Sequence, residues 1–270
     1  MSGWLDRVAR GVPERAPGPQ ATLWRYRPDG EPAFDPVVFD ERALAARGAL
    51  LGNARAGRGN THFLVLERHA LVLRHYRRGG LVRHLATRHY VWTGLERTRA
   101  VREFELLREL EAEGLPAPVP FACAVTRRGP FWSGSLVTRR LPGETLAERL
   151  DVAGDATLPR SLWSVVGQTL ARFHAVGIRH ADLNAHNVLL DGERVFLIDF
   201  DRASRREPPG ERRAEVRPWQ RANVARLRRS LVKLAAGGER AFDEPGFDAL
   251  ERAWRSHLER ASSGSRSIGC

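Results

Sequence analysis

The sequence predicts an α+β fold with two lobes: an N-terminal lobe built on an antiparallel sheet with one helix, and a mainly helical C-terminal lobe. Stretches in which apolar and polar residues alternate dominate the first half of the chain, whereas apolar residues at helical spacing dominate after Asp151. One helical pattern interrupts the early strands. The chain has 270 residues, 42% of them hydrophobic, and can bury a substantial core in one bilobal domain or two small ones.

The elements of the N-terminal lobe follow from turn signals and apolar spacing. Residues 1–33 are rich in Pro, Gly and Arg, so we expect a loosely ordered segment with one short strand at "TLWRY". Residues 34–140 form the N-terminal lobe, in which "DERALAARGA" predicts a short helix and "THFLVLE" and "ALVLRHY" predict strands. Apolar residues recur every three positions in "RTRAVREFELLRELEAEG", which predicts the single helix. "PFACAVTRRGPFWSGSLVTRRL" predicts two more strands around a turn.

The C-terminal lobe is expected over residues 141–260, after a joint at "RRLPG". "SLWSVVGQTLARFHAVG" predicts a helix that a glycine ends, and "WQRANVARLRRSLVKLAA" and "FDALERAWRSHLERA" predict two more. Between them, "NVLLDGERVFLIDFD" predicts a hairpin, because "DG" at Asp191–Gly192 is a strong two-residue turn signal. We expect a disordered tail over residues 261–270.

Charge and cysteine content limit the class of protein. The net charge of +12 is carried almost wholly by arginine, since Lys233 is the only lysine, and it favours an anionic partner. Cys123 and Cys270 give neither a disulfide framework nor a metal-site spacing, which favours a reducing compartment. No signal peptide is recognisable, and no apolar run approaches the roughly 20 residues of a membrane span. We therefore expect a cytosolic protein, or one attached peripherally to a membrane surface.

The stretch "HADLNAHNVLL", followed by "VFLIDFD", has the clearest chemical content. His180, Asp182 and Asn187 fit the pattern H-x-D-x-x-x-x-N, and Asp199 begins D-F-D after the hairpin. Phosphoryl transfer needs a carboxylate that takes the proton of the acceptor hydroxyl, together with carboxylate and amide oxygens that bind Mg²⁺. Asp182 fits the catalytic base, and Asn187 and Asp199 fit the metal ligands. His180 is expected to support the loop through hydrogen bonds.

Residues 170–201 resemble the catalytic core of the protein-kinase-like superfamily, because a helix ending in "FHAVGIRH", the loop and the "LIDFD" strand end occur together. The resemblance implies a bilobal protein-kinase-like fold, with ATP and Mg²⁺ as cofactors and with the N-terminal lobe binding the nucleotide. It also implies a glycine-rich loop over the phosphates, where Gly57 and Gly59 lie. A plain hairpin turn explains this G-x-G equally well, so both interpretations stay open.

The resemblance further implies a phosphate-pairing cation on the third strand. The superfamily has a lysine there, but no lysine precedes Lys233, and Arg74 in "LVLR" is the only substitute in register. Arginine and lysine differ in shape and hydration, so either the pocket is adapted to a guanidinium or nucleotide binding is weak. For the partner carboxylate on the helix we expect Glu103 in preference to Glu96, which precedes the regular apolar stripe.

A second departure from the superfamily is Asp201, which stands where D-F-G has its glycine. The loss of glycine removes backbone freedom, so we infer a loop that does not switch between states and a constitutive enzyme. No A-P-E segment follows, and a small-molecule or lipid–glycan acceptor therefore fits better than a peptide.

Within the superfamily, "LVLRHYRRGGLVRHL", "YVWTGLERTRAVREFELLRELEAEGLPAPVP" and "HADLNAHNVLL" resemble the bacterial 3-deoxy-D-manno-octulosonic acid (Kdo) kinases of lipopolysaccharide core assembly. The resemblance covers about residues 50–230. It implies ATP-dependent phosphorylation of the 4-hydroxyl of the Kdo residue on Kdo-lipid A precursor, by a peripheral protein at the cytoplasmic face of the bacterial inner membrane. That acceptor is strongly anionic, and four arginines of the first motif offer a surface for it: Arg74, Arg77, Arg78 and Arg83.

Three other functions stay open. Another small-molecule or glycan kinase, of the heptose or aminoglycoside type, would share the catalytic residues and differ in the acceptor pocket. A non-catalytic pseudokinase would explain the missing lysine but not the intact Asp182, Asn187 and Asp199. A nucleic-acid-binding protein would explain the charge, but no nucleic-acid-binding motif is present, so we expect no nucleic-acid partner. The sequence assigns no role to Asn184 or His186.

Overall fold

The structure, a computed structural model, describes residues 14–15, 21–26, 35–53, 61–76, 90–153, 157–207, 216–237 and 241–263. The chain divides into two compact units. Unit 1 comprises Met1–Glu109 and Pro118–Leu141, and unit 2 comprises Leu110–Ala117 and Pro142–Cys270. Strands dominate the first unit and helices the second, which is the α+β arrangement that the sequence predicts.

Within the residues that the structure describes, unit 1 is built on an antiparallel sheet of eight strands. The strands are β1 Glu14–Arg15, β2 Ala21–Tyr26, β3 Leu50–Asn53, β4 Thr61–Leu66, β5 His69–His75, β6 Tyr90–Val91, β7 Pro120–Arg128 and β8 Phe131–Arg139. Their order is β1-β2-β7-β8-β5-β4-β3, and β6 pairs with β8. In the described part of this unit two α-helices accompany the sheet, α1 at Glu41–Ala46 and α2 at Arg99–Ala112, the second of which ends in unit 2.

One face of this sheet forms the core of unit 1. In β5, Leu71 and Leu73 lie on the same face because alternate residues of a strand point the same way, and both are fully buried. They pack in one cluster with Val38, which precedes α1, and with Leu44, which lies in α1. Helix α1 begins at Glu41 because Asp40 is its N-cap: the Asp40 carboxylate accepts hydrogen bonds from the backbone N–H groups of Arg42 and Ala43.

The segment expected to be loosely ordered contributes two strands. The predicted strand at "TLWRY" is present as β2, which also includes Ala21 and pairs along its whole length with β7, from Ala21↔Arg127 to Tyr26↔Ala122. The short strand β1 pairs with β2 and was not predicted, since Glu14–Arg15 has no apolar alternation of its own.

Unit 2 contains the three helices predicted above and a short one that precedes them in the chain. They are α3 Leu146–Ala153, α4 Arg160–Ala175, α5 Pro218–Ala236 and α6 Glu244–Ser263. Among the described residues of unit 2, five short strands form two small sheets: β9 Glu144–Thr145, β10 Ile178–Arg179, β11 Val188–Asp191, β12 Arg194–Leu197 and β13 Ser204–Arg205.

The predicted hairpin is β11–β12, with its turn one residue later than expected. The pairing closes at Asp191↔Arg194, so the two turn residues are Gly192 and Glu193. Gly192 has φ +60°, the left-handed conformation that glycine adopts without steric cost, and the Asp191 and Arg194 side chains pair across the turn.

A buried histidine joins three helices of unit 2. The indole N–H of Trp254 in α6 donates to Nδ1 of His174 in α4 at 2.9 Å, and Nε2 of His174 lies 3.2 Å from Oδ1 of Asn223 in α5. Because Nδ1 accepts, His174 is the neutral Nε2–H tautomer and donates to Asn223. Burial lowers the pKa of His174 to about 4, with the hydrogen bond to Asn223 acting in the opposite direction.

None of the helices in the described ranges combines the length and the apolar character of a membrane-spanning segment.

We predict that unit 2 loses stability on acidification through His174. An unfolded histidine titrates near pH 6.5, and His174 stays neutral in the folded protein down to about pH 4, so the unfolded state binds the extra proton. The stability is therefore complete above pH 6.5 and falls by up to about 3 kcal/mol as the pH is lowered to about 4. Urea unfolding followed by tryptophan fluorescence, at pH values from 7 to 4.5, measures the effect.

The matched variants are His174→Gln and His186→Gln, the second at an exposed histidine of the same unit. We expect His174→Gln to be less stable at pH 7 but to lose less free energy on acidification, while His186→Gln keeps the original pH profile. An unchanged pH dependence in His174→Gln would rule His174 out as the responsible group.

Candidate active site

A buried amide fixes the start of the loop that carries Asp182. From α5, Asn223 accepts the backbone N–H of His180 on Oδ1 at 3.2 Å and donates from Nδ2 to the backbone carbonyl of His180 at 2.5 Å. Both backbone polar groups two residues before Asp182 are therefore held by one side chain. Asn223 is 4% exposed, so water does not compete for these bonds.

His180 connects the loop to the strand end that precedes Asp199. Its Nε2 donates to the backbone carbonyl of Ile198 at 2.9 Å, and its ring packs edge-on against Phe200 with centroids 5.0 Å apart. Burial lowers the pKa of His180, although the bond to Ile198 and the nearby carboxylates oppose this, so the ring is neutral. These contacts agree with the prediction that His180 supports the loop.

Asn187 is fixed by the backbone of Asp182. The Asn187 amide donates from Nδ2 to the Asp182 carbonyl at 2.8 Å, which turns the amide oxygen Oδ1 the other way and leaves it available as a ligand. Asn184 donates to the same carbonyl at 2.9 Å and accepts the backbone N–H of His186 at 2.9 Å. Asn184, to which the sequence assigns no role, thus shapes the loop between the two predicted site residues.

The hairpin brings Asp199 beside Asn187. Val188 pairs with Leu197 at the base of β11–β12, and the N–H of Ile198 donates to the carbonyl of Asn187 at 3.0 Å, so Asp199 follows directly after this bond. Asp199 has φ +66°, a left-handed conformation that costs a residue with a side chain on the order of 1–3 kcal/mol and is found mostly at functional sites. Its side chain is exposed.

The side chain of Asp182 has one partner that the sequence did not indicate. Nη2 of Arg226, in α5, lies 2.5 Å from Oδ1 of Asp182, and both side chains are about half exposed, at 47% and 48%. A charge-assisted hydrogen bond of this kind fixes one carboxylate oxygen and leaves the other for a ligand.

Of the residues that sequence reasoning missed, Asn223 left a detectable signal. Gln220 and Asn223 are polar, yet they precede Val224 and Leu227 on the buried stripe of α5, and a polar residue on such a stripe indicates a buried hydrogen-bond partner. Arg226 left none, because α5 carries several exposed arginines with the same local sequence character.

In unit 1 the structure brings Arg74 and Glu103 together. Nη2 of Arg74, in β5, forms an ion pair with Oε2 of Glu103, in α2, whose side chain is 3% exposed. Tyr76 completes the cluster, because its hydroxyl donates to the same carboxylate oxygen at 2.6 Å and its ring lies 5.1 Å from the Arg74 guanidinium carbon. Burial, reinforced by the negative charge of Glu103, raises the pKa of the Tyr76 phenol, which stays protonated.

Some predicted residues lie outside the described part of the chain. These are Gly57 and Gly59 of the predicted phosphate-covering loop, the basic residues Arg77, Arg78 and Arg83, and the tail from residue 264.

Comparison with known proteins identifies relatives over most of the chain. The model of the lipopolysaccharide kinase (Kdo/WaaP) family matches residues 42–253. A 3-deoxy-D-manno-octulosonic acid kinase of Xylella fastidiosa (strain M12) is 40% identical over 225 residues, which cover 82% of each chain. The kinase of the same name from Xanthomonas campestris pv. campestris (strain B100) is 40% identical over 234 residues, covering 82% of this chain and 90% of that protein.

A solved structure described as WaaP in complex with acyl carrier protein aligns with a TM-score of 0.50 and 17% identity, covering 82% of this chain and 87% of that one. At this identity the likeness concerns the fold, which is the protein-kinase-like α+β fold. The carrier protein is a feature of that relative. The family model matches most of the chain, and the Kdo kinases are 40% identical to it over about four fifths of its length. The chain therefore belongs to the lipopolysaccharide kinase (Kdo/WaaP) family.

Proposed function

We propose that this protein transfers the γ-phosphoryl group of ATP to the 4-hydroxyl of the Kdo residue on Kdo-lipid A precursor, in lipopolysaccharide core biosynthesis. The observation that carries the proposal is the fixed Asp182–Asn187–Asp199 arrangement in a chain that is 40% identical to Kdo kinases. That arrangement supplies a carboxylate base and two oxygen ligands, which is what phosphoryl transfer requires.

Asp182 acts as the catalytic base in this proposal. One of its carboxylate oxygens is held by Arg226, and the other accepts the proton of the acceptor hydroxyl while the acceptor oxygen forms its bond to the γ-phosphorus. The bond from the γ-phosphorus to the oxygen of ADP breaks in the same displacement, so one phosphoryl group and one proton are transferred. The half-exposed side chain is accessible to a sugar hydroxyl.

Asn187 and Asp199 are the proposed Mg²⁺ ligands, and their chemistry fits that ion. Both present oxygen donors, which Mg²⁺ prefers, and the Asn187 amide is already oriented with its oxygen away from the Asp182 carbonyl. When bound with ATP, the metal neutralises the charge of the nucleotide phosphates. The strained backbone of Asp199 supports this role, because such strain is retained where a side chain must take one orientation.

Arg74 is the proposed nucleotide cation, with Glu103 as its positioning partner and Gly57 and Gly59 in the loop over the phosphates. The ion pair between Arg74 and the buried Glu103 supports this assignment, because the carboxylate fixes the position of a guanidinium, and the planar geometry of a guanidinium matches the oxygens of a phosphate. Tyr76 shares the same carboxylate oxygen and so restricts the position of Glu103 further.

The proposed acceptor also places the protein at the cytoplasmic face of the inner membrane, as a peripheral protein. A net charge of +12 supports binding to a phosphorylated glycolipid and to an anionic membrane surface. Nucleic acid is not expected as a partner.

We predict that the purified protein adds one phosphate to Kdo-lipid A precursor in vesicles with ATP and Mg²⁺, and that Asp182→Asn lowers kcat by about 100- to 10,000-fold, the usual contribution of a general base. The mass of the lipid and release of ADP measure the reaction, and an unchanged melting temperature shows that the variant is folded. Full activity of Asp182→Asn would refute the base assignment. Phosphorylation of a heptose or an aminoglycoside, with no reaction on Kdo, would indicate a different acceptor class.

Arg226 is predicted to position Asp182. Loss of a charge-assisted bond costs about 1.5–3 kcal/mol, so Arg226→Ala should lower kcat by roughly 10- to 100-fold while the KM for ATP stays the same. Arg226→Lys, which keeps the charge, should recover part of the rate. Arg229→Ala removes an exposed arginine of the same helix and should leave both constants unchanged. Equal kinetics for Arg226→Ala and Arg229→Ala would show that the pair with Asp182 has no role in the reaction.

Arg74 is predicted to set nucleotide affinity. Arg74→Ala should raise the dissociation constant for ATP by about 10-fold or more, because a charge-assisted contact to phosphate is lost. The same change leaves Glu103 buried without its cation, so the double variant Arg74→Met with Glu103→Gln separates loss of folding from loss of binding. ATP affinity that is unchanged in both folded variants would show that the nucleotide cation lies elsewhere.

A further inference from the structure

Two histidines and a glutamate converge on the face of the unit 1 sheet opposite to Arg74. Nε2 of His75, in β5, lies 2.8 Å from Oε1 of Glu41, and Nε2 of His62, in β4, lies 3.5 Å from Oε2 of the same carboxylate. One ligand atom from each of the three residues fits within a span of 4.8 Å. The three residues come from α1, β4 and β5, so only the folded sheet brings them together.

The pairing of the strands explains why the two rings meet. His62 pairs with Leu73, and His75 lies two residues further along β5, so both side chains point to the face that packs on α1. The ring centroids are 5.9 Å apart in an edge-on arrangement. Arg74, between Leu73 and His75, points to the other face, towards Glu103.

We propose that Glu41, His62 and His75 bind a divalent transition-metal ion, for which Zn²⁺ is the natural probe. Imidazole nitrogens and one carboxylate form a common ligand set for zinc, and a site with three protein ligands keeps a fourth position for water or another ligand. Ligand atoms about 2.0–2.2 Å from a tetrahedral ion are about 3.2–3.6 Å from one another. The separation of 3.5 Å between Nε2 of His62 and Oε2 of Glu41 is in that range.

The environment of His62 is the independent reason to infer a ligand. Its side chain is only 9% exposed, and its Nε2 makes no hydrogen bond to any residue that the structure describes. A buried nitrogen without a hydrogen bond is costly, and coordination to a metal would satisfy it. The atom faces a carboxylate that is itself 42% exposed, so an ion can enter from solvent.

Ser135 supplies the supporting contact that metal-binding histidines usually have. Its Oγ lies 2.6 Å from Nδ1 of His75, on the directly opposite position of β8. A hydrogen bond at Nδ1 fixes the ring orientation and the tautomer, and so presents Nε2 to the ion. With the ion bound, α1 is tied to β4 and β5, and metal affinity adds to the stability of unit 1.

The test is titration of chelator-treated full-length protein with Zn²⁺ against a competing chromophoric chelator, with Co²⁺ as a spectroscopic probe. We expect one Zn²⁺ per chain, a higher melting temperature with Zn²⁺, and Co²⁺ absorption typical of nitrogen and oxygen ligands. His62→Gln and His75→Gln should each weaken Zn²⁺ binding by about 100-fold, and Ser135→Ala by about 10-fold. His69→Gln, at a histidine of β5 outside the cluster, should keep the original affinity.

Two controls keep the result interpretable. Melting temperatures of the metal-free variants show whether each is folded, and Glu41→Gln replaces a half-exposed side chain and so tests the site without disturbing the core. Absence of stoichiometric Zn²⁺ binding would overturn the proposal. Unchanged affinity in folded His62→Gln and Glu41→Gln would overturn it as well, because the metal would then be bound elsewhere.

Discussion

The candidate active site depends on one buried side chain, Asn223. Its amide group binds the backbone N–H and carbonyl of His180 and accepts a hydrogen bond from the neutral ring of His174. Helix α5, helix α4 and the start of the loop that carries Asp182 are therefore joined by one set of hydrogen bonds. An amide can do this because it has an acceptor and two donors on one rigid plane. A carboxylate in its place could not donate to the His180 carbonyl, and a leucine would leave two buried backbone groups without partners.

The loop and the hairpin connect His180 to the predicted site residues through the backbone. From His180 the backbone reaches Asp182 in two residues, and the Asp182 carbonyl in turn orients Asn187. The first backbone bond beyond the hairpin links Asn187 to the residue before Asp199. Each predicted site residue of unit 2 is thus held through main-chain bonds, while the side chains of Asp182 and Asp199 reach solvent.

Much of the fold was predictable because it follows from local sequence patterns. Periodic apolar residues predicted the helices and strands, and the spacing around the "DG" turn was enough to expect Asp199 beside Asn187. Contacts between distant segments left weaker traces or none. Asn223 could have been suspected from its place on an apolar stripe, but Arg226 is one exposed arginine among several. The left-handed backbone of Asp199 has no sequence signal, because aspartate adopts this conformation more often than most residues but still only in a minority of cases.

Strand β5 carries two unlike clusters on adjacent residues, the Arg74 ion pair on one face and the His75 cluster on the other. A turn of only two residues, Glu67 and Arg68, joins β4 to β5, because the pairing closes at Leu66↔His69. A shift of the pairing register by one residue at this turn would move every side chain of the strand to the opposite face and present imidazole where the guanidinium now lies. The length of the turn therefore matters to both clusters at once, independent of which residues occupy it.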